Sequence, residues 1–161
     1  MKLKLSNVNL NDNRIGDLLV ELLKTREILT HLDLSWTKLK PSHLCEISEV
    51  LKSEDAYPVR NLRNLNLSYN SLYFDETAAD VLPSEEFVEN LIEYIGISET
   101  LNHLDISGMN LGRDYNADSY HYQFEVERHC SNAPILALAL ALSENEYLLG
   151  IHMSDNGLRA D

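Results

Sequence analysis

The chain lacks the materials for several common protein classes. None of its apolar runs approaches the roughly 18 residues that read as a membrane-spanning helix. The longest candidate, ILALALALS at 135–143, is short, is rich in helix formers and reads as a buried helix. The opening MKLKLSNVNLND has no apolar signal-peptide core. Cysteine is scarce: Cys45 and Cys130 are the two present, and neither sits in a CxxC. Two cysteines cannot frame a disulfide scaffold, and without a secretory signal a reducing, cytoplasmic setting is expected. Basic side chains are also few, 13 Lys and Arg against 26 Asp and Glu, for a net charge of −13. The shortage falls in residues 53–161, with 5 basic residues to 19 acidic, whereas residues 1–52 have 8 to 7. Nucleic-acid backbones and anionic membrane surfaces repel such a chain, so neither is an expected partner, while a basic protein is compatible. No GxxxxGK[ST], GxGxxG, HExxH or GxSxG occurs. Glu85 and Glu86 sit at a helix start, where acids suit the helix dipole. Nothing here asks for a cofactor or a metal, and an enzyme is not expected.

What is present is a repeat. Residues 62–72 read LRNLNLSYNSL, a spacing that fits neither a helical period nor simple alternation. The same frame recurs as LKLSNVNL at 3–10, LTHLDLSWTKL at 29–39, LNHLDISGMNL at 101–111 and LLGIHMSDNGL at 148–158. The central apolar pairs are Leu3/Leu5, Leu32/Leu34, Leu65/Leu67, Leu104/Ile106 and Ile151/Met153, and each is followed five residues later by leucine.

These residues resemble the leucine-rich repeat family, whose pattern is LxxLxLxxNxL, and the resemblance covers essentially the whole chain. It implies an α/β solenoid of about five repeats, a right-handed horseshoe arc. In it LxL is a short strand with both leucines inward. One repeat cannot bury that face alone, so neighbours stack over a continuous core. The family's Asn satisfies backbone groups that the turn leaves unpaired. Here that slot holds Val8, Thr37, Asn70, Met109 and Asn156. Val8 and Met109 cannot supply those bonds, so looseness is expected near the first and fourth repeats.

Between the strands lie amphipathic segments. Ile15, Leu18, Leu19, Leu22 and Leu23 form one stripe. Leu44, Ile47 and Leu51 form a second, entered by Pro41 and Ser42. Phe87, Val88, Leu91, Ile92 and Ile95 form a third, and 133–143 is the fourth. Strand, turn, helix and return resembles the ribonuclease-inhibitor-like subclass, with parallel strands on the concave face and helices on the convex face. The intervals Leu5–Leu34, Leu34–Leu67, Leu67–Ile106 and Ile106–Met153 are 29, 33, 39 and 47 residues. Insertions therefore fall around 53–60, 73–83 and 112–132, in loops of one edge. A single domain over 1–161 is expected. It starts and stops directly in repeats, without the polar caps of a complete solenoid. A piece of a longer array is the favoured reading; ends closed by self-association or by a partner is the other.

Function in this family implies a protein-binding surface on the concave sheet. Its outward positions are Lys4, Asp33, Asn66, Asp105 and His152, and, two residues earlier, His31, Asn64, His103 and Gly150. Serine follows each strand, at Ser6, Ser35, Ser68, Ser107 and Ser154, as a turn residue rather than a nucleophile. The next slot holds Asn7, Trp36, Tyr69, Gly108 and Asp155. Trp36 and Tyr69 fall in adjacent repeats, about 5 Å apart at backbone level. They are either a binding hot spot or a pair packed on itself. His31 and His103 are separated by a whole strand, too far to share a small metal ion. The 112–132 insertion carries Tyr115, Tyr120 and Tyr122, as a cover over the sheet edge or a protein-binding loop. Its His121, His129 and Cys130 lack a fourth zinc ligand. Two functions remain open: an interaction module using the concave face, or a structural or regulatory subunit held in a larger assembly by its ends and this insertion.

Overall fold

In a computed structural model the described residues are 1–53, 61–72, 83–111 and 133–157. They alternate strand and helix: β1 (Lys2–Lys4), α1 (Asn13–Thr25), β2 (His31–Asp33), α2 (Pro41–Lys52), β3 (Asn64–Asn66), α3 (Pro83–Ile97), β4 (His103–Asp105), α4 (Ala133–Glu144) and β5 (Gly150–His152). The strands form one parallel sheet in sequence order. Leu3, Leu32, Leu65, Leu104 and Ile151 pair directly across it. This is the stacked α/β solenoid that the repeat implies. Among the described residues the helices pack on their sequence neighbours, α1 on α2, α2 on α3 and α3 on α4.

Each three-residue strand is too short to hold by pairing alone, so stability comes from the leucine columns between sheet and helices. Leu29, Leu32, Leu34, Leu39, Leu62, Leu65, Leu67, Leu101, Leu104 and Ile106 are all buried. From the helices, Leu23, Leu44, Ile47, Leu51, Phe87, Leu91 and Ile95 meet them in one core. Each such side chain contributes roughly 1.5–3 kcal/mol of burial.

The helices begin where local chemistry starts them. Asp12 caps α1 by accepting the Arg14 amide at 2.9 Å. Pro41 opens α2 at a position that needs no N–H. Two helix expectations are corrected. The buried stripe of α1 is Gly16, Leu19, Val20 and Leu23, while Ile15 and Leu18 face outward. On that face the His43 ring of α2 sits so close to Gly16 that a Cβ there would lie 2.4 Å from it. The buried face is thus offset by about one residue from the all-leucine stripe. Nor is α4 a buried helix. Leu138 and Ala141 are buried, but Leu136 and Leu140 are 67% and 59% exposed. An all-round apolar helix with one neighbouring helix can cover only one side.

The slot occupied by Val8, Thr37, Asn70, Met109 and Asn156 works in alternation. Asn70 serves the repeat before it: its Oδ1 accepts from Thr37 N and Leu39 N, both at 3.2 Å. Its Nδ2 donates to Leu34 O at 2.7 Å and Leu67 O at 3.0 Å. Asn156 does the same one pair of repeats later, accepting from Met109 N at 2.9 Å and Leu111 N at 3.4 Å, and donating to Ile106 O at 2.8 Å. In the other repeats a main-chain carbonyl takes the equivalent amide, Leu10 N to Thr37 O and Leu72 N to Met109 O. The expected looseness at the fourth repeat is therefore absent: Met109 is fully buried, and its backbone is satisfied from the next repeat. At the first repeat Val8 is 45% exposed, in line with a less packed end.

Candidate functional site

The sheet register sets out two columns of outward side chains. Lys2, His31, Asn64, His103 and Gly150 form one; Lys4, Asp33, Asn66, Asp105 and His152 form the other. Asn64 stands between His31 and His103, as the spacing predicted. Among the described residues no group of three or more His, Cys, Asp or Glu is gathered as metal ligands.

The second column does structural work in its middle. Asp33 Oδ1 accepts from the Ser35 amide at 3.1 Å and from its hydroxyl at 2.7 Å. Asn66 Oδ1 repeats this with Ser68, at 3.0 and 2.7 Å, and Asp105 Oδ1 takes the Ser107 amide at 3.0 Å. The serines are thus turn residues, although two of their hydroxyls bond a side chain rather than the backbone. One oxygen of each strand-end Asp or Asn is spent on this turn.

The first column is basic at its start. His31 Nδ1 lies 2.9 Å from Thr30 Oγ1. Burial, then Lys2, the amino terminus, Arg63 and Lys4, lower the His31 pKa from its ordinary value. His103 leans over Gly150, where a Cβ would come within 2.7 Å of its Nδ1.

The row just beyond the serines is the most distinctive. Asn7, Trp36, Tyr69, Gly108 and Asp155 all have positive φ, between 57° and 65°. Here the chain turns away from the sheet, and each of these amides except the last donates to the serine carbonyl of the following repeat. Glycine, Asn and Asp tolerate this left-handed conformation; Trp and Tyr do so at a cost. Bulky residues held there cluster at binding sites, where strain is offset by the surrounding structure.

The two aromatic rings stack, with centroids 4.2 Å apart and planes 15° from parallel. Tyr69 covers one face of the indole, yet Trp36 is still 55% exposed. Tyr69 then extends away from Trp36 across Gly108. A Cβ on Gly108 would lie 2.4 Å from Tyr69 Cδ1, so only glycine leaves this path open. At its far end the Tyr69 hydroxyl donates to Asp155 Oδ2 at 2.9 Å. That hydrogen bond, with the charges of Asp155 and Asp105 and some burial, raises the Tyr69 pKa. The result is a continuous ledge from Trp36 through Tyr69 to Asp155, along the C-terminal rim of the sheet.

Of the residues singled out in the sequence, Trp36 and Tyr69 are brought together, with Asp33 and Asn66 shortly before them in their repeats and Asp105 in the same place before Gly108. His31, His103 and His152 lie on the same sheet face, and among the described residues no hydrogen bond joins them to the ledge. Tyr115, Tyr120 and Tyr122 lie outside the described residues. Gly108 and Asp155 also shape the ledge, although neither residue type by itself points to binding. Their signal was their slot, shared with Trp36 and Tyr69.

Comparison with protein-family models matches residues 61–85 to the Leucine Rich Repeat family. The matched stretch contains β3, Tyr69 and Asn70, and it supports the leucine-rich repeat family for this chain. No curated protein matches the chain.

Proposed function

We propose that this leucine-rich repeat chain is a non-catalytic protein-interaction module whose contact surface is the open sheet face and its C-terminal rim. The observation that carries the reading is the Trp36–Tyr69 stack: a tryptophan 55% exposed and braced by a tyrosine in a costly backbone conformation. Aromatic side chains held rigid on a surface lose little entropy on binding and dominate interface energetics. The sheet columns beside them supply the polar surround of such an interface. The strand–helix repeat with a 29-residue first interval favours the ribonuclease-inhibitor-like subclass, and a cytoplasmic setting is the reading of the cysteine content.

The test is capture from cell extract with the parent chain and with a Trp36→Ala/Tyr69→Ala variant of equal circular dichroism. Trp36 is exposed and Tyr69 half-buried, both outside the core, so the variant is expected to fold. A partner retained by the parent and lost by the variant supports the reading. A partner retained equally by both contradicts it.

A second reading has its own observation. Leu18 of α1 and Leu136, Leu140 and Leu149 beside and within the last repeat are 59–77% exposed. Apolar surface at the two flanks of a stack suits a subunit held in a larger assembly. A mass in solution that rises with concentration would favour this reading; a constant monomer mass would disfavour self-association.

A further inference from the structure

We infer that the ledge binds an extended basic segment of its protein partner, with an arginine guanidinium stacked on the open face of Trp36 and a second basic side chain at Asp105 and Asp155. The inference rests on the binding-face reading above and adds the chemistry of the partner. Three observations carry it.

The first is the open indole face. Tyr69 occupies one side of the ring, so the exposure of Trp36 falls on the other side and its edge. A planar, weakly hydrated guanidinium stacks on such a face better than an ammonium does. The second is uncompensated charge. Asp105 and Asp155 both act on the Tyr69 hydroxyl, yet among the described residues neither has an ion-pair partner. Asp33 differs, because Lys4 is its neighbour across the sheet, whereas the neighbours of Asp105 are Asn66 and the imidazole of His152. The acidic end of the ledge is thus the Asp105–Asp155 end, within residues 53–161, which have 5 basic residues to 19 acidic.

The third is length. From the repeat of Trp36 to that of Asp155 is three strand steps, and parallel strands lie about 4.8 Å apart, for a span of about 14 Å. An extended peptide advances about 3.3 Å per residue, so side chains about four residues apart reach both ends. Each aspartate keeps the capacity to bind: Oδ1 of Asp105 holds the Ser107 amide and Oδ2 of Asp155 holds Tyr69, and neither second oxygen has a hydrogen bond among the described residues.

Trp36 is the one tryptophan of the chain, so its fluorescence reports on the ledge directly. The experiment titrates the full chain with hexa-arginine, hexa-lysine and hexa-glutamate peptides. Two charge-matched variants are compared, Asp105→Asn/Asp155→Asn on the ledge and Asp17→Asn/Glu21→Gln on exposed α1. Asparagine keeps an amide oxygen for Ser107 and Tyr69, as Asn66 already does in its own repeat. The expected result is a saturable fluorescence change with hexa-arginine that is weaker with hexa-lysine and absent with hexa-glutamate. The ledge variant should bind hexa-arginine about tenfold more weakly or worse, as for lost charge-assisted contacts, while the α1 variant should bind like the parent. No saturable change, equal response to hexa-lysine, or equal weakening in both variants would overturn the inference. Should a captured partner depend on Trp36 and Tyr69 while hexa-arginine fails to bind, the binding face stands and the basic segment falls.

Discussion

Gly108 and Tyr69 fit together so that no side chain is possible at Gly108: its hydrogen points at the Tyr69 ring, and a Cβ there would stand 2.4 Å from Cδ1. The tyrosine can span from Trp36 to Asp155 only because the intervening repeat has glycine in this slot. Gly108 also sits at φ 65°, where an added Cβ is disfavoured regardless of space. Gly108→Ala is therefore expected to displace the Tyr69 ring and cost about 1–3 kcal/mol. Thermal unfolding gives the cost, and the near-ultraviolet circular dichroism of the Trp36–Tyr69 pair reports the displacement. An unchanged aromatic signal would show that the ring does not need the glycine.

Asn70 is the main polar tie between two repeats. Asn70→Ala would leave the Thr37 and Leu39 amides and the Leu34 and Leu67 carbonyls without this partner inside the core. A loss of about 3 kcal/mol or more is expected from denaturant unfolding. Val8→Ala, in the same slot of an exposed first repeat, should stay within about 0.5 kcal/mol. Similar losses for both would remove the distinction between the served and unserved turns.

The lowered His31 pKa sets a sign for pH dependence. The unfolded chain takes up this proton first as pH falls, so the contribution of His31 to stability is whole above its ordinary value of 6.5. It is lost as pH drops through the lower folded-state value. Subtracting the stability of His31→Asn from that of the parent isolates it between about pH 8 and about pH 5. The difference should change in the direction of a less stable parent at the acidic end. A flat difference, or an NMR titration of His31 at or above 6.5, would contradict it.

Cys45 is buried in α2, and burial, with Glu86 and Glu46 adding to it against one backbone hydrogen bond, pushes its thiol up to about 12. The thiolate needed for alkylation is then almost absent at about pH 8. Native protein treated with iodoacetamide should show unmodified Cys45 by peptide mass spectrometry, and denatured protein should show full modification. Ready native labelling would mean that α2 opens or that Cys45 is less enclosed.

The repeat made the fold readable. Five LxL pairs specified five strands and their parallel order, because only stacking buries leucines at that spacing. Helix faces were less legible. The face that α1 buries includes Gly16 against His43, a contact between helices that no stripe within α1 encodes. The exposure of α4 depends on how many neighbours it has, which its sequence does not state. Trp36 and Tyr69 were found together because equivalent slots in adjacent repeats must be neighbours. The role of Asp155 was not, since Tyr69 reaches it across an entire repeat and that reach depends on Gly108. The sharing of Asn70 and Asn156 between repeats was likewise hidden: slot by slot, Met109 looks like a missing asparagine, but its backbone partner is in the next repeat.

The most direct measurement is acrylamide quenching of Trp36 in the free chain and in complex with the partner that it captures. Because no other tryptophan is present, the quenching constant reads the exposure of this one ring. A binding face centred on the Trp36–Tyr69 stack predicts a fall in quenching on complex formation, abolished when the partner is withheld. Unchanged quenching in a saturated complex would place the contact elsewhere and contradict the account.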